Sequence, residues 1–451
     1  MNNQQHIHIV GICGVATSAL AIAFKNRGWK VTGSDKGFFP PVSTELERND
    51  IAFYAGWHPE KMGMPDYVIV GTASGSTNPE TQYAREKNIP IYSFAEAIGE
   101  FLVKENSIVC VGTWGKTSSS ALLSYILEKA DFNPSYMFGG VSLSHESSGK
   151  ITDSKWSVCE GDEYKSGPTD PTPKFQYYKP THLLLTAVSW DHADLYPTEE
   201  SFIKTFEKLV ASVGFIVACR DNEKVVQVVG DKKVVWYGKE NADYIYSDII
   251  QTKDGLDFKI NDIKIHSPMI GTFQAENITG CFAIAHTLGI DAKIIVEAVA
   301  GFKGLKRRLE KRLDGDIVVF DDIAHSPEKA SFVLKNLRSI YTGKIITIFE
   351  PNIGGRSRES IGKYDNAFRD SDTVFIARLT KLKIGESDRP MEGNELTEII
   401  AKTHSDVRYI EDDDRLVQEI KAMVKDGDVV AFLGSHGFRG MIEAVITSLR
   451  R

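Results

Sequence analysis

The sequence has few cysteines, no excess of positive charge and no long hydrophobic run. The formal net charge of −8 argues against a nucleic-acid partner, which would require a basic face. No apolar run approaches the roughly 18 residues that span a bilayer, and the first residues lack the pattern of a secretory signal peptide. We therefore expect a cytoplasmic protein with no membrane insertion and no bound nucleic acid.

The five cysteines are odd in number, widely scattered and never spaced as CxxC. Cys13, Cys110 and Cys281 have small or apolar neighbours in the sequence. Cysteines in such surroundings are typically buried free thiols, and we expect that state here.

The length and the alternation of strand and helix patterns predict a three-domain α/β protein. At about 150 residues per domain, 451 residues correspond to three domains. Residues 1–104 alternate short apolar strands with helices, which predicts a Rossmann-like N-terminal domain. Residues 105–312 predict a central α/β domain of the P-loop ATPase type, with a small antiparallel patch between residues 232 and 268. Residues 313–451 alternate strands and helices again and predict a Rossmann-like C-terminal domain.

The strongest local motif is a glycine-containing loop between a predicted strand and a predicted helix. It reads Gly112-Thr113-Trp114-Gly115-Lys116-Thr117-Ser118. Its glycines let backbone N–H groups approach phosphate oxygens, and the following helix N-terminus adds partial positive charge. Lys116 is suited to the β- and γ-phosphates of a nucleotide and the Thr117 hydroxyl to Mg²⁺. The motif therefore predicts nucleotide binding, with a spacing (GxxGKT) shorter than that of the common loop.

Two acidic clusters follow predicted strands in the same region. They are Glu160-Gly161-Asp162-Glu163 and Asp191-His192-Ala193-Asp194. The carboxyl ends of parallel strands converge on the edge of the sheet where ligands bind in open α/β sheets. Carboxylate oxygens are the ligands that Mg²⁺ prefers, so these clusters predict a magnesium site beside the loop.

Taken together, these motifs resemble those of the Mur ligases, the ATP-dependent amide-forming enzymes of peptidoglycan synthesis. The resemblance rests on motifs that occur in family order along nearly the whole chain: the loop from Gly112 to Thr117, Glu160-x-Asp162-Glu163, Asp191-His192-Ala193-Asp194, Asn277, Arg307-Arg308-Leu309-Glu310 and Asp321-Asp322-Ile323-Ala324-His325-Ser326-Pro327.

The resemblance implies specific roles for these residues. It places Asn277 at adenine, Arg308 at the ATP phosphates and Asp322 at the ribose. The full implied set for ATP is Gly112, Thr113, Gly115, Lys116, Thr117, Ser118, Asn277, Arg308 and Asp322. The implied Mg²⁺ ligands are Thr117, Glu160 and His192. The implied catalytic residues are Lys116, His192, Arg308 and His325.

The resemblance also implies the substrates. The N-terminal domain would bind UDP-N-acetylmuramate through Gly11, Gly14, Ser34, Asp35 and Asn78, and the C-terminal domain would bind an amino acid or peptide acceptor. The sugar carboxylate would be activated as an acyl phosphate and joined to the acceptor amine, with release of ADP and phosphate. The N-terminal motifs and Trp190-Asp191-His192 are most similar to family members that attach the tripeptide L-Ala-γ-D-Glu-meso-diaminopimelate in peptidoglycan recycling.

Three alternatives remain at this level. The first is that the acceptor is L-alanine, as in the biosynthetic branch of the family. The second is a non-catalytic Mur-like nucleotide binder, suggested by Phe273-Gln274 and Ser189, which depart from the family pattern. The third is an NAD-dependent oxidoreductase, because Gly11-x-x-Gly14 followed by Asp35 resembles a dinucleotide fingerprint. We expect a monomer or a homodimer. The Gly434–Gly437 turn is expected to be either a simple turn or part of an acceptor site.

Overall fold

A computed structural model describes residues 4–39, 42–72, 75, 77–167, 170–192, 194–380 and 389–450. The chain divides into two compact units. The first comprises Met1–Ile249, Asp257–Ser267 and Ala275–Lys303, and the second comprises Ile250–Leu256, Pro268–Gln274 and Gly304–Arg451. Within the described ranges, every helix is too short or too polar to cross a bilayer.

The N-terminal region is a five-stranded parallel sheet in the order β3-β2-β1-β4-β5. The order reverses between β1 and β4, and the loop at Gly11 leaves β1 at this topological switch point, where α/β sheets bind ligands. Its elements are β1 (His6–Val10), α1 (Val15–Asn26), β2 (Lys30–Asp35), α2 (Val42–Arg48), β3 (Ala52–Ala55), α3 (Pro59–Met62), β4 (Tyr67–Val70), α4 (Pro79–Glu86), β5 (Ile91–Ser93) and α5 (Phe94–Ala97).

The central region contains a ten-stranded sheet, in the order β15-β14-β13-β12-β11-β10-β6-β9-β7-β8. Its elements are β6 (Asn106–Val111), α6 (Lys116–Lys129), β7 (Ser135–Met137), β8 (Gly149–Lys150), β9 (Trp156–Gly161), α7 (Lys174–Tyr177), β10 (His182–Leu185), α8 (Glu199–Ser212), β11 (Phe215–Cys219), α9 (Glu223–Val229), β12 (Val235–Gly238), β13 (Tyr244–Thr252), β14 (Gly255–Ile260), β15 (Ile263–Ser267), α10 (Gln274–Thr287) and α11 (Ala292–Gly301).

Strand β6 lies between β9 and β10, and all three are parallel. Val111, the last residue of β6, is in register with Gly161 of β9 and Leu185 of β10. The loop that follows β6 therefore lies beside the segments that follow β9 and β10. At the far edge, β13, β14 and β15 are neighbours joined by two-residue connections, which confirms the predicted antiparallel patch.

The C-terminal region is a six-stranded sheet in the order β16-β17-β21-β18-β19-β20. Its elements are β16 (Glu310–Leu313), β17 (Val318–Asp322), α12 (Pro327–Arg338), β18 (Ile345–Glu350), β19 (Thr373–Ile376), α13 (Gly393–Ile400), β20 (Val407–Tyr409), α14 (Asp413–Met423), β21 (Val429–Gly434) and α15 (Met441–Leu449). Five strands are parallel, and β16 is an antiparallel edge strand.

These three sheets confirm the predicted α/β class and the Rossmann-like pattern at both ends. The five cysteines are all buried and free, as expected for three of them from their neighbours. Within the first unit, the N-terminal and central regions are packed together, since a Cβ on Gly149 of β8 would lie 2.9 Å from the carbonyl oxygen of Ala19 in α1. The domain boundaries at 104 and 312 stay a prediction.

Candidate active site

The loop after β6 has the conformation that a phosphate-binding loop requires. Gly112 and Gly115 have φ values of 138° and 82°, a region that favours glycine. A Cβ on Gly112 would collide with the backbone nitrogen of Ala187 at 2.7 Å, and one on Gly115 would lie 2.6 Å from Asn277 Oδ1. Helix α6 begins at Lys116, so the N–H groups of its first turn, including that of Ser118, are directed toward the loop.

The loop is fixed to the segment that follows β10. The Thr113 N–H donates to the carbonyl of Ala187 at 2.9 Å, and its hydroxyl donates to the carbonyl of Ser189 at 2.8 Å. The Thr186 hydroxyl donates to the carbonyl of Trp114 at 2.5 Å. Because these bonds hold its backbone, the loop is preorganised for an anion.

Lys116 is paired with a buried carboxylate at the end of this loop. Its ammonium donates to both carboxylate oxygens of Glu163, at 2.8 and 3.0 Å, and Glu163 is only 1% exposed. Burial raises the pKa of Glu163, although Lys116 acts in the opposite direction. His192 Nε2 lies 3.7 Å from Glu163 Oε1. Asp162, Glu163 and His192 each offer one donor atom, all within 4.8 Å of one another.

Glu160 lies at the other side of the same loop. The Thr117 hydroxyl donates to Glu160 Oε1 at 2.7 Å, and the Gly139 N–H donates to Oε2 at 2.6 Å. Glu160 and Thr117, two of the three predicted magnesium ligands, are thus in direct contact, while His192 belongs to the cluster of Asp162 and Glu163. The left-handed backbone of His192, with φ of 55°, is rare for a residue other than glycine and marks a constrained position.

These residues fit a nucleoside triphosphate with magnesium. The two glycines let the loop backbone pack closely against Thr186, Ala187 and Asn277. Lys116 faces carboxylate oxygens of the kind that Mg²⁺ binds. The pair of Lys116 with Glu163 keeps the lysine ammonium beside the loop.

A second lysine lies between two cavities of the first unit. Lys174 donates to Asp162, and this bond together with its positive charge lowers the pKa of Asp162 in spite of burial. It lines a cavity of about 120 Å³ beside Glu160, and also a cavity of about 460 Å³ that contains the turn at Gly11. Lys174 was not predicted as a site residue, because nothing in its local sequence distinguishes it from a surface lysine.

The larger cavity gathers most of the predicted sugar-nucleotide residues. Its lining includes Gly11, Gly14 and Asp35, together with the aromatic rings of Phe39 and Trp57. The Cys13 N–H donates to Asp35 Oδ2 at 2.8 Å, so the aspartate closes the glycine turn after β1.

Two further predicted residues lie behind this cavity. The Ser34 hydroxyl donates to the buried carboxylate of Glu80, and Asn78 caps α4 by accepting the Glu80 N–H at 2.9 Å. Glu80 also accepts hydrogen bonds from the Tyr54 hydroxyl at 2.7 Å and the His58 N–H at 2.8 Å. Ser34 and Asn78 therefore take part in a buried network that supports the cavity wall.

The remaining predicted residues are Asn277, which lies on α10 in the first unit, and Arg308, Asp322 and His325, which belong to the second unit. Asp322 is buried and accepts the N–H groups of Leu309 at 2.7 Å and Ala324 at 2.8 Å, and burial raises its pKa. Burial and the nearby Lys329 lower the pKa of His325, whose Nδ1 lies 2.7 Å from the carbonyl oxygen of Ile323. Arg308 is exposed and lies between Arg307 and Leu309, which both have positive φ values.

The neighbouring Arg307 has a structural role that the sequence did not reveal. Its guanidinium donates to the carbonyl groups of Gly434, Ser435 at 3.1 Å and His436 at 2.9 Å. It thereby fixes the turn that follows β21, so this turn is anchored to the Arg307–Glu310 motif.

Sequence profiles identify the family over most of the chain. Three profiles match: "Mur ligase family, catalytic domain" over residues 6–105, "Mur ligase middle domain" over 111–285 and "Mur ligase, glutamate ligase domain" over 307–436. The fold and the phosphate-binding loop are those of ATP-dependent acid–amino-acid ligases. The chain belongs to the Mur ligase family, and this assignment replaces the oxidoreductase alternative.

Among curated relatives, the chain is similar to UDP-N-acetylmuramate–L-alanine ligases. That of Mesorhizobium japonicum is 30% identical over 95% of this chain and 94% of its own length. That of Agrobacterium fabrum is 29% identical over 98% and 97%.

Solved structures share the fold. UDP-N-acetylmuramate–alanine ligase of Thermotoga maritima superimposes with a TM-score of 0.80 at 22% identity, covering 98% of this chain and 99% of its own. A murein peptide ligase of Psychrobacter arcticus gives a TM-score of 0.68 at 24% identity, covering 99% and 98%. At these identities the likeness concerns the fold alone.

Proposed function

We propose that this chain is an ATP-dependent UDP-N-acetylmuramate–L-alanine ligase. The observation that carries the proposal is the 30% identity to a ligase of that name, over almost the full length of both chains. The cavity at the Gly11 turn lies in the same unit as the phosphate-binding loop, and Lys174 lines it beside the Glu160 cavity. This arrangement suits a sugar nucleotide whose carboxylate must reach a triphosphate.

The chemistry begins with the approach of two anions. In the proposed reaction a carboxylate oxygen attacks the γ-phosphorus of ATP, ADP leaves, and the acyl phosphate is then attacked by the acceptor amine with loss of phosphate and a proton. Two unit charges 4 Å apart repel by about 4 kcal/mol at an effective dielectric of 20. Lys116 would offset part of this repulsion at the loop, and Lys174 would do so where it lines both cavities.

Magnesium, when bound, would supply further positive charge to offset the repulsion between the two anions. We assign Thr117, Glu160 and His192 to its binding, and add Asp162 and Glu163 because their carboxylate oxygens lie within reach of His192. Gly112, Thr113, Gly115, Ser118 and Asn277 would then contact the nucleotide itself. The roles that the resemblance gives Arg308, Asp322 and His325 stay predictions.

An ADP-release assay tests the acceptor. Purified protein is incubated with Mg²⁺, ATP and UDP-N-acetylmuramate, with L-alanine in one series and L-Ala-γ-D-Glu-meso-diaminopimelate in the other. We expect release that depends on both the sugar nucleotide and L-alanine. Release that depends only on the tripeptide would overturn the L-alanine assignment, and no release with either acceptor would support a non-catalytic nucleotide binder.

The tripeptide is a second candidate acceptor. It is favoured by the similarity of the Trp190-Asp191-His192 segment to the recycling members of the family. A ligase of this kind from Neisseria meningitidis, called a UDP-N-acetylmuramate:L-alanyl-γ-D-glutamyl-meso-diaminopimelate ligase, is 25% identical over 67% of this chain with a TM-score of 0.60.

Replacing Lys174 by methionine is expected to weaken binding of the sugar nucleotide while leaving binding of ATP nearly unchanged. A charge-assisted hydrogen bond contributes about 1.5–3 kcal/mol, so the KM for UDP-N-acetylmuramate should rise about 10- to 100-fold. The KM for ATP should change by less than about threefold, because Lys116 and the loop remain intact.

The matched control is Lys165→Met, which removes a lysine stacked on the neighbouring Tyr164 ring and should leave both constants near wild type. Steady-state ADP release with each substrate varied in turn measures the two constants. An unchanged KM for the sugar nucleotide in Lys174→Met would exclude Lys174 from its binding.

A further inference from the structure

A thiol and two carboxylates meet on the central sheet, two strands away from the phosphate-binding loop. Cys219 is the last residue of β11, Asp221 follows it, and Glu276 lies in the first turn of α10. One donor atom of each lies within 4.8 Å of the other two. The mechanism proposed above uses none of these three side chains.

The cluster is short of positive charge. Burial, followed by the nearby Asp221, raises the pKa of Glu276 to about 7, and Lys239 offsets this only in part. Burial also raises the pKa of the Cys219 thiol, and the Glu276 carboxylate acts in the same direction. Two carboxylates beside a buried thiol would be stabilised by a bound cation.

Asp221 is held in a fixed orientation. The Tyr246 hydroxyl donates to Asp221 Oδ2 at 2.6 Å, and the Lys239 N–H donates to Oδ1 at 2.9 Å. Metal-binding carboxylates are commonly oriented by hydrogen bonds of this kind.

An independent observation comes from Tyr237, which is fully buried and whose hydroxyl has no hydrogen-bond partner within the described part of the chain. Tyr237 is in register with Cys219 on the neighbouring strand. A Cβ on Gly280, one helical turn after Glu276, would lie 3.1 Å from its hydroxyl oxygen. The hydroxyl thus faces the side of α10 that carries Glu276. An unpaired buried hydroxyl is unfavourable, and a water on a metal ion would supply the missing partner.

We propose that Cys219, Asp221 and Glu276 form a binding site for a divalent transition-metal ion of the zinc class, separate from the magnesium site. Sulfur favours such an ion over Mg²⁺, which prefers oxygen donors alone. Three protein ligands leave a fourth position for water. Binding deprotonates the Cys219 thiol and releases its proton to solvent. The site is independent of the acceptor and of ligase activity.

Cobalt substitution tests this site without an activity assay. Untagged protein is treated with a chelator, dialysed and titrated with Co²⁺ at pH 8. We expect one equivalent to give a thiolate-to-cobalt charge-transfer band, which Zn²⁺ abolishes by displacement. The cluster of Asp162, Glu163 and His192 contains no sulfur, so cobalt bound there does not produce this band. Absence of the band in the wild-type protein would overturn the proposal.

Variants assign the band to particular side chains. Cys219→Ala should abolish it, and Glu276→Gln should weaken Co²⁺ binding at least about tenfold. Tyr246→Phe should weaken binding about 10- to 100-fold, because it removes only a hydrogen bond to a ligand.

The control is Cys281→Ala, which removes another buried thiol and should keep the band. If Cys219→Ala fails to fold, the Glu276 and Tyr246 variants still decide the question. A band that survives in Cys219→Ala, or binding unchanged in both other variants, contradicts the site.

Affinity should also depend on pH in one direction. A metal ion competes with protons for the Cys219 thiol and the Glu276 carboxylate, so binding should tighten as the pH rises from 6 to 8. Titration calorimetry in two buffers of different ionisation enthalpy measures the protons released. A pH-independent affinity would exclude the thiol and Glu276 as ligands.

Discussion

Lys116→Met is expected to lower kcat/KM for ATP-dependent ligation by about 10³-fold or more while the protein remains folded. The lysine ammonium is the cation at the start of α6, and methionine keeps the length of its stem but removes its charge. The loss falls mainly on kcat if Lys116 acts on charge that develops as the γ-phosphoryl group is transferred. Single-turnover ADP release with UDP-N-acetylmuramate and the acceptor measures this step.

Glu163, the partner of Lys116, determines how much stability the Lys116→Met variant loses. Breaking a buried ion pair typically costs about 3–5 kcal/mol when the remaining charge stays ionised. Glu163 has a raised pKa and can bind a proton once Lys116 is gone, so we expect a smaller loss of stability.

The matched control is Lys129→Met, at the other end of the same helix, where the ammonium lies over the Tyr125 ring. This variant should keep wild-type turnover. Thermal unfolding of both variants shows whether each remains folded. Near-normal ADP release by a folded Lys116→Met would exclude Lys116 from phosphoryl transfer.

The sequence predicted those parts of the candidate site that follow directly from strand order. Lys116 and Thr117 were found because the loop joins a clear strand to a clear helix. Glu160 was found because it lies near the end of a buried strand, and this strand, β9, is indeed adjacent to β6. In each case the functional residue lies within two or three residues of a strand or helix end. Its position in the sheet can therefore be predicted together with the motif.

Residues outside such motifs were missed for physical reasons. Lys174 reaches the site from a four-residue helix after a loop, and only tertiary packing brings it between two cavities. The edge strand β16 has the sequence Glu-Lys-Arg-Leu, which lacks the apolar alternation that identifies a strand. The cluster of Cys219 with Glu276 joins residues that are far apart in the sequence.

Glu163 was present in a quoted motif but was not assigned a role. Its sequence neighbours, Glu160 and Asp162, are equally acidic, and only the structure shows that Glu163 is the one paired with Lys116. Glu160 instead bonds Thr117, while Asp162 bonds Lys174. The three carboxylates between residues 160 and 163 therefore have three different partners, and neither composition nor spacing could have predicted which partner each one has.

Glu160→Gln is expected to lower kcat by about 10²–10³-fold and to raise the Mg²⁺ concentration needed for half-maximal rate at least about tenfold. The two oxygens of Glu160 accept hydrogen bonds from the Thr117 hydroxyl and the Gly139 N–H. An amide has only one oxygen, so glutamine loses one of these acceptors as well as the charge. The KM for UDP-N-acetylmuramate should change little if the residue acts through the metal.

A matched control is Glu207→Gln, which makes the same chemical change at an exposed position of α8 and should retain the wild-type Mg²⁺ profile. Thr117→Val provides a second comparison, because it removes the hydroxyl that contacts both Glu160 and, in our assignment, the metal. Rates are measured over a series of Mg²⁺ concentrations at saturating ATP. If Glu160→Gln loses turnover without any shift in its Mg²⁺ dependence, Glu160 orients Thr117 and Gly139 and is not itself a metal ligand.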